Sequence, residues 1–273
     1  MLYNIYGGKI MNVTTFIRTF PQNDLIDPNK IKIESFDQNH ESMYPIENDG
    51  NINPMQLGVL VDYLTRLMLT HDVKSSFDIP MMGLQLLESI DLLDEKKAYI
   101  KEIKQMLDNM EVKLSDQTIQ QASQLLPLDG LFRSGRMGVA PEIGTETANW
   151  IRLLVNNSLH QLNLLNNYGD AKDILTETIF PGGYTEVVDK GDGDYMTKTA
   201  LIDMKVSKYQ PRKEYWQQLL TYYELGLHSN FNLAYQALDK LAIVNPRLNQ
   251  LFTYSLADVN QEALKKLAKN MGY

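Results

Sequence analysis

With 273 residues, 44% of them hydrophobic, the chain can bury a full core and sits at the upper end of one domain or the lower end of two. It has no cysteine, which excludes disulfides, thiolate zinc sites and iron–sulfur clusters. A net charge of −8 argues against nonspecific coating of nucleic acid, which needs Lys and Arg to neutralise phosphates, but it leaves room for a locally basic cleft.

No apolar run reaches the length of a membrane span, and the start Met1-Leu-Tyr-Asn-Ile-Tyr6 lacks the charged and apolar sections of a signal peptide. A cytoplasmic protein without membrane contact is therefore expected.

Residues 1–50 mix short β-like runs, Val13–Ile17 and Ile31–Ile33, with Asn, Asp and Pro, and read as an irregular N-terminal arm. Residues 51–143 read as a helical elaboration. Pro54 suits a first helical turn, and Leu57, Leu60, Val61, Leu64 and Met68 recur at helical spacing to about Thr70. Leu84, Leu87, Ile90, Leu93, Ile100, Ile103 and Leu107 predict one long or two shorter helices over Ile79–Asn109. Ser115 caps a short helix to Leu126, ended by Pro127 and an Asp129-Gly130 turn. Phe132–Gly144 reads as a flexible loop, in which Arg133 and Arg136 are candidate phosphate contacts.

Residues 144–273 form the third predicted region. Gly144–Leu165 is helical, with Ala148, Ile151, Val155 and Leu162 buried and Glu146 near its start. Strands over Ile174–Phe180, Tyr184–Val188 and Thr199–Val206 then predict an antiparallel meander broken by Pro181-Gly-Gly and Lys190-Gly-Asp-Gly turns. Glu177 and Glu186 fall on these strands as a default surface pair. Alternation turns Asp203 and Lys205 to one face, and Asp194 approaches through a glycine-rich turn, with Asp192 as its competitor; the spacing from Gly191 favours Asp194.

Two carboxylates are hard oxygen ligands for Mg²⁺ or Mn²⁺, and a lysine beside them can orient water or offset charge on a transferring phosphate. The bland alternative is an edge strand with a solvated Asp/Lys pair. The next helix, Arg212–His228, sets Gln218 and Tyr222 on one face, apart from the stripe of Trp216, Leu219, Leu220, Tyr223 and Leu227. Lys208, Arg212 and Lys213 follow the Asp203–Lys205 strand as a basic rim. Strands Leu241–Val244 and Leu251–Tyr254 flank Arg247, a turn residue or a phosphate contact, and Asp258–Asn270 is an amphipathic helix.

The order Gly-x-x-Asp194, then Asp203-Met-Lys205 on a strand, then Gln218-x-x-x-Tyr222 on the following helix resembles the PD-(D/E)XK nuclease superfamily, and its RecB-like exonuclease branch in particular. The resemblance covers roughly Asp173–Leu256. It implies an α/β (α+β) fold with a restriction-endonuclease-like core, a mixed sheet flanked by helices, and here an N-terminal helical elaboration.

The resemblance also implies a Mg²⁺-dependent deoxyribonuclease hydrolysing DNA phosphodiester bonds. Asp194 and Asp203 would be metal ligands, Lys205 the catalytic lysine, and Gln218 with Tyr222 the pair positioning water or backbone. Lys208, Arg212, Arg133, Arg136 and Arg247 would be the backbone contacts. Glu146 or Asp62 would be the upstream acid; Asp62 stands where many such proteins have His.

The gap between Asp194 and Asp203 is short for such enzymes, and Met204 replaces a smaller residue. Without cysteine, the iron–sulfur cluster of some RecB-like nucleases is excluded. Phage-related, defence and repair systems use such domains. A homo-oligomer or protein partner stays open, as does a catalytically inactive member of the fold that binds nucleic acid or protein.

Overall fold

The computed structural model describes residues 10–36, 52–89 and 94–273. Residues 1–9 and 37–50 of the predicted arm lie outside the described residues, as do Asn51 and, in the predicted helical stripe, Ile90 and Leu93. The chain divides into two compact units. The first holds the described residues of Met1–Asp37 together with Gln161–Lys205 and Tyr209–Tyr273; the second holds those of Gln38–His160 together with Val206–Lys208.

The first unit opens with β1 (Met11–Asn12), α1 (Val13–Thr19) and β2 (Lys32–Ser35). The second contains α2 (Pro54–Thr70), α3 (Val73–Ser76), α4 (Asp78–Glu88), α5 (Asp94–Asp108), α6 (Asp116–Ser123) and α7 (Leu126–Ser134). Helix α8 (Thr145–Leu165) carries the chain back to the first unit. There follow β3 (Leu175–Thr178), β4 (Val188–Lys190), β5 (Gly193–Met196), β6 (Ala200–Met204), α9 (Lys213–Leu227), α10 (Asn232–Gln236), β7 (Lys240–Asn245), β8 (Gln250–Ser255) and α11 (Gln261–Met271).

The first unit is built on a six-stranded sheet in the order β2-β8-β7-β6-β5-β3. Only β6 and β7 run parallel, joined by the α9 crossover, so the sheet is mixed. Leu201, Leu241, Ile243, Phe252 and Tyr254 on one face pack with Val13, Phe16 and Ile17 of α1, Trp216, Leu219 and Leu220 of α9, and Leu264 and Leu267 of α11 in one core. This is a mixed α/β fold with a helix-flanked sheet.

Two sequence expectations are corrected here, while the β-like reading of Ile31–Ile33 is met one residue further on. Val13–Ile17 is helix, because Asn12 accepts a hydrogen bond from Thr15 N as N-cap and Val13, Phe16 and Ile17 are buried at helical spacing, overriding the β preference of the Val-Thr-Thr run. Within the supposed irregular arm, Lys32–Ser35 is a strand that pairs along β8 at the sheet edge. The three-strand meander also breaks: β4 pairs in parallel with β1 as a separate ribbon, and β3 pairs directly with β5, so Tyr184 lies in the connecting turn.

In the second unit, Ser115 is the N-cap of α6 as expected. Pro127 instead sits in the first turn of α7, where its missing N–H costs nothing, and Asp129-Gly130 is helical rather than a turn. Helices α4 and α7 touch backbone to backbone at Gly83, where a Cβ would lie 2.1 Å from Leu128 O. Asp129 accepts hydrogen bonds from the Tyr63 hydroxyl at 2.5 Å and Arg133 Nε at 2.9 Å, while burial and the Asp129 charge push the Tyr63 phenol pKa up. Among the described residues, no helix is long and apolar enough to cross a membrane.

Candidate active site

Strands β5 and β6 pair antiparallel in the register Tyr195↔Ile202 and Met196↔Leu201, and the same register carried one step further sets Asp194 opposite Asp203. Residues directly opposed on an antiparallel pair share a face with Cβ atoms about 4.5–5.5 Å apart. Asp194 is thus delivered by a strand, not by the glycine turn expected from the sequence. Gly191 has a different reason: a Cβ there would come 2.5 Å from Val13 Cγ2 and 3.2 Å from Tyr222 Cε1. Its lack of a side chain lets α1 and α9 close on the β4–β5 connection.

Leu201 belongs to the core face, so period-two alternation brings Asp203 and Lys205 to that same side. Asp203 is 1% exposed. Lys205 Nζ lies 2.8 Å from its Oδ1 and 2.7 Å from its Oδ2. The Asp194 Oδ2 accepts a hydrogen bond from Met204 N at 2.7 Å, which locks that carboxylate to the end of β6. Burial acts to lower the pKa of Lys205, but the charges of Asp203 and Asp194 and the bond to Asp203 outweigh it and hold the pKa above the ordinary lysine value. The bland expectation of a solvated edge pair does not hold, since β6 is an interior strand between β5 and β7.

Helix α9 contributes Gln218 and Tyr222, joined by a 2.9 Å hydrogen bond from Gln218 Nε2 to the Tyr222 hydroxyl. Tyr222 is 5% exposed and stacks on Phe180 with ring centroids 5.6 Å apart. Burial raises its pKa well above that of a free phenol; Gln218 acts against the rise, while the negative charges of Asp194, Asp203 and Asp192 add to it. The three acids and the α9 pair therefore act on one another electrostatically. The neighbouring Gln217 is a structural group: Nε2 donates to Phe20 O at 2.7 Å and Oε1 accepts from Gln22 N at 3.0 Å, tying α9 to the segment after α1.

Sequence reasoning did not single out Tyr215. Its ring carries Lys205 Nζ at 5.1 Å and the Arg212 guanidinium at 5.2 Å, and Arg212 Nη2 donates to its hydroxyl at 3.1 Å. The available signal was its place one turn into α9, three residues after Arg212.

The remaining candidates are distributed as follows. Asp62, Glu146, Arg133, Arg136 and Lys208 all lie in the second unit. Asp62 pairs with Arg66 one turn along α2 at 2.7 Å, and Glu146 is exposed in the first turn of α8. Arg133 and Arg136 are exposed, the former bonded to Asp129. Arg247 is 7% exposed in the β7–β8 turn, where Asn245 Oδ1 accepts from Arg247 N and Leu248 N; of its two sequence readings, this burial favours the turn role. Glu186 is not on a strand but in the bend before β4, and Glu177, on β3, takes a positive φ of 54°.

Among the described residues, no group of three His, Cys, Asp or Glu side chains is placed to hold a metal. The donor set is the Asp194–Asp203 pair. Two carboxylates sharing a face are hard oxygen ligands of the number that suits Mg²⁺, which keeps several of its waters, so these residues fit such an ion. No protein-family model, curated protein or solved structure matches the chain.

Proposed function

We propose that this protein is a Mg²⁺- or Mn²⁺-dependent nuclease of the PD-(D/E)XK type that hydrolyses DNA phosphodiester bonds in the cytoplasm. The observation that carries the reading is the Asp203 carboxylate, buried on an interior strand, bonded to Lys205 and set in register with Asp194. Buried charge is costly, and structural stability alone gives little reason to keep it, so such a cluster marks a candidate site.

Asp194 and Asp203 would hold the ion, which when bound polarises the phosphate and lowers the pKa of its bound water. The Lys205 ammonium offsets the negative charge that grows on the phosphate as the water oxygen bonds to phosphorus and the P–O bond to the leaving oxygen breaks. Gln218, held by Tyr222, offers its amide oxygen to the attacking water or its remaining N–H to the DNA backbone. Arg212, oriented by the Tyr215 ring that also carries Lys205, takes a neighbouring phosphate.

The test is incubation of the purified protein with linear and covalently closed circular DNA over a range of Mg²⁺ and Mn²⁺ concentrations. Metal-dependent cleavage of both forms marks an endonuclease and of linear DNA alone an exonuclease; absence of cleavage across the series overturns the proposal. The α9 pair supplies a second prediction. Tyr222→Phe removes only a hydroxyl and Gln218→Ala the amide with one methylene at a partly buried position, so both are expected to lower the cleavage rate about tenfold or more through misplaced water or phosphate. Melting temperature is expected to move by only a few degrees. A large melting shift at unchanged specific activity would take the pair out of the mechanism.

A further inference from the structure

Away from the Gln218–Tyr222 edge of α9, the first unit contains a cavity of about 290 Å³. Tyr223, Glu224 and Leu227 of α9 line it together with Val259 and, from α11, Leu264 and Lys265. Its walls mix the apolar side chains of Leu227, Val259 and Leu264 with the Tyr223 ring, the Glu224 carboxylate, the Gln261 amide and the Lys265 ammonium.

The Glu224 carboxylate is the unusual group. The residue is 6% exposed, and its ion-pair neighbour His228 stands at 3.8 Å, beyond hydrogen-bonding distance. Lys265 is instead engaged by Glu262 at 2.9 Å, with both side chains exposed. A buried carboxylate is stabilised in its ionised form by a cation that can enter beside it, and an aromatic ring in the same wall favours the same charge. Concave apolar sites with a few polar groups are the usual form of a small-molecule site.

We propose that this cavity binds a small organic ammonium ion with an apolar body, the cationic head on Glu224 beside Tyr223 and the alkyl part against Leu227, Val259 and Leu264. The site is independent of the nuclease reading, and either can fail without the other.

Burial pushes the Glu224 carboxyl pKa up to about 7. The charged and titratable groups around it are His228 and Tyr223 on α9, Lys265 on α11, and Tyr273, whose ring stacks on His228 at 3.7 Å. Binding of a cation needs the ionised carboxylate, so affinity rises with pH through about 7 and levels off above it. The same shift affects folding. Because the carboxyl pKa is higher folded than unfolded, its contribution to stability is fully present below the unfolded value near 4.5 and lost as pH rises through about 7. Glu224→Gln is therefore expected to flatten the fall in melting temperature between pH 5 and pH 8.

The direct test titrates the full chain with hexylammonium, 1-hexanol and hexanoate, following Leu and Val methyl resonances. Hexylammonium is expected to give saturable shifts at Leu227, Val259 and Leu264, with affinity rising about tenfold from pH 6 to pH 8 as the carboxylate ionises. Glu224→Gln is expected to reduce its affinity to that of 1-hexanol. Ala268→Phe, which fills the cavity from α11, is expected to abolish the shifts while the protein still melts cooperatively. Equal binding of hexanol at pH 8, tighter binding of hexanoate, or an unchanged affinity in either variant would overturn the proposal.

Discussion

Asp203→Asn is expected to lower metal-dependent DNA cleavage by about 10²-fold or more, because under the proposed function it removes a charged metal ligand while keeping nearly the same volume. The substitution suits the buried position. Asp203 is 1% exposed on an interior strand, so a change of shape would perturb β6 and confuse a loss of chemistry with a loss of fold. Asparagine preserves an oxygen acceptor for Lys205 Nζ, now at 2.7–2.8 Å from the carboxylate oxygens. Titration calorimetry with Mn²⁺ should show weakened binding in the same variant, and Asp194→Ala should weaken it likewise, whereas Asp192→Ala should not. Cleavage within a few-fold of wild type by Asp203→Asn would remove the cluster from the mechanism.

Lys205→Ala carries the second large effect, and it falls on stability as well as on rate. Lys205 is the counter-ion of a carboxylate with almost no access to water. Removing one partner of a buried pair leaves the other charge uncompensated, which typically costs about 3–5 kcal/mol. The variant is therefore expected to melt well below wild type. The double variant Asp203→Asn with Lys205→Met is expected to recover much of that loss, since neither buried charge remains. Urea unfolding of the three proteins checks this: a single Lys205→Ala variant as stable as wild type would show that Asp203 is better solvated than its burial indicates. Cleavage assays on Lys205 variants are thus best made with Lys205→Arg or Lys205→Gln beside a folding control.

Much of the site was legible because it is local. Asp203 and Lys205 share a face through period-two alternation, and Gln218 and Tyr222 share one through the four-residue helical step; both hold in the structure. The helices with regular apolar spacing, α2 and α8, were readable for the same reason, and α2 begins within a residue of its capping signal, with Asn53 accepting from Gln56 N. Where the reading failed, a short-range preference met a long-range partner. Val13–Ile17 has β-branched residues but buries Val13, Phe16 and Ile17 against the core as a helix, and β4 leaves the meander because β1 is available to pair with it.

The sequence by itself determined which side chains are candidates for chemistry and which neighbours share a face with them, because those relations depend on backbone geometry over a few residues. Tertiary structure alone decided what those side chains experience. The β5–β6 register set Asp194 against Asp203 across ten residues of chain, the interior place of β6 turned an ordinary Asp-x-Lys into a buried ion pair, and the packing of α9 placed Tyr215 under Lys205 and Arg212. Burial and cross-strand register are sums over contacts between segments distant in sequence, and so are absent from any local pattern of residues.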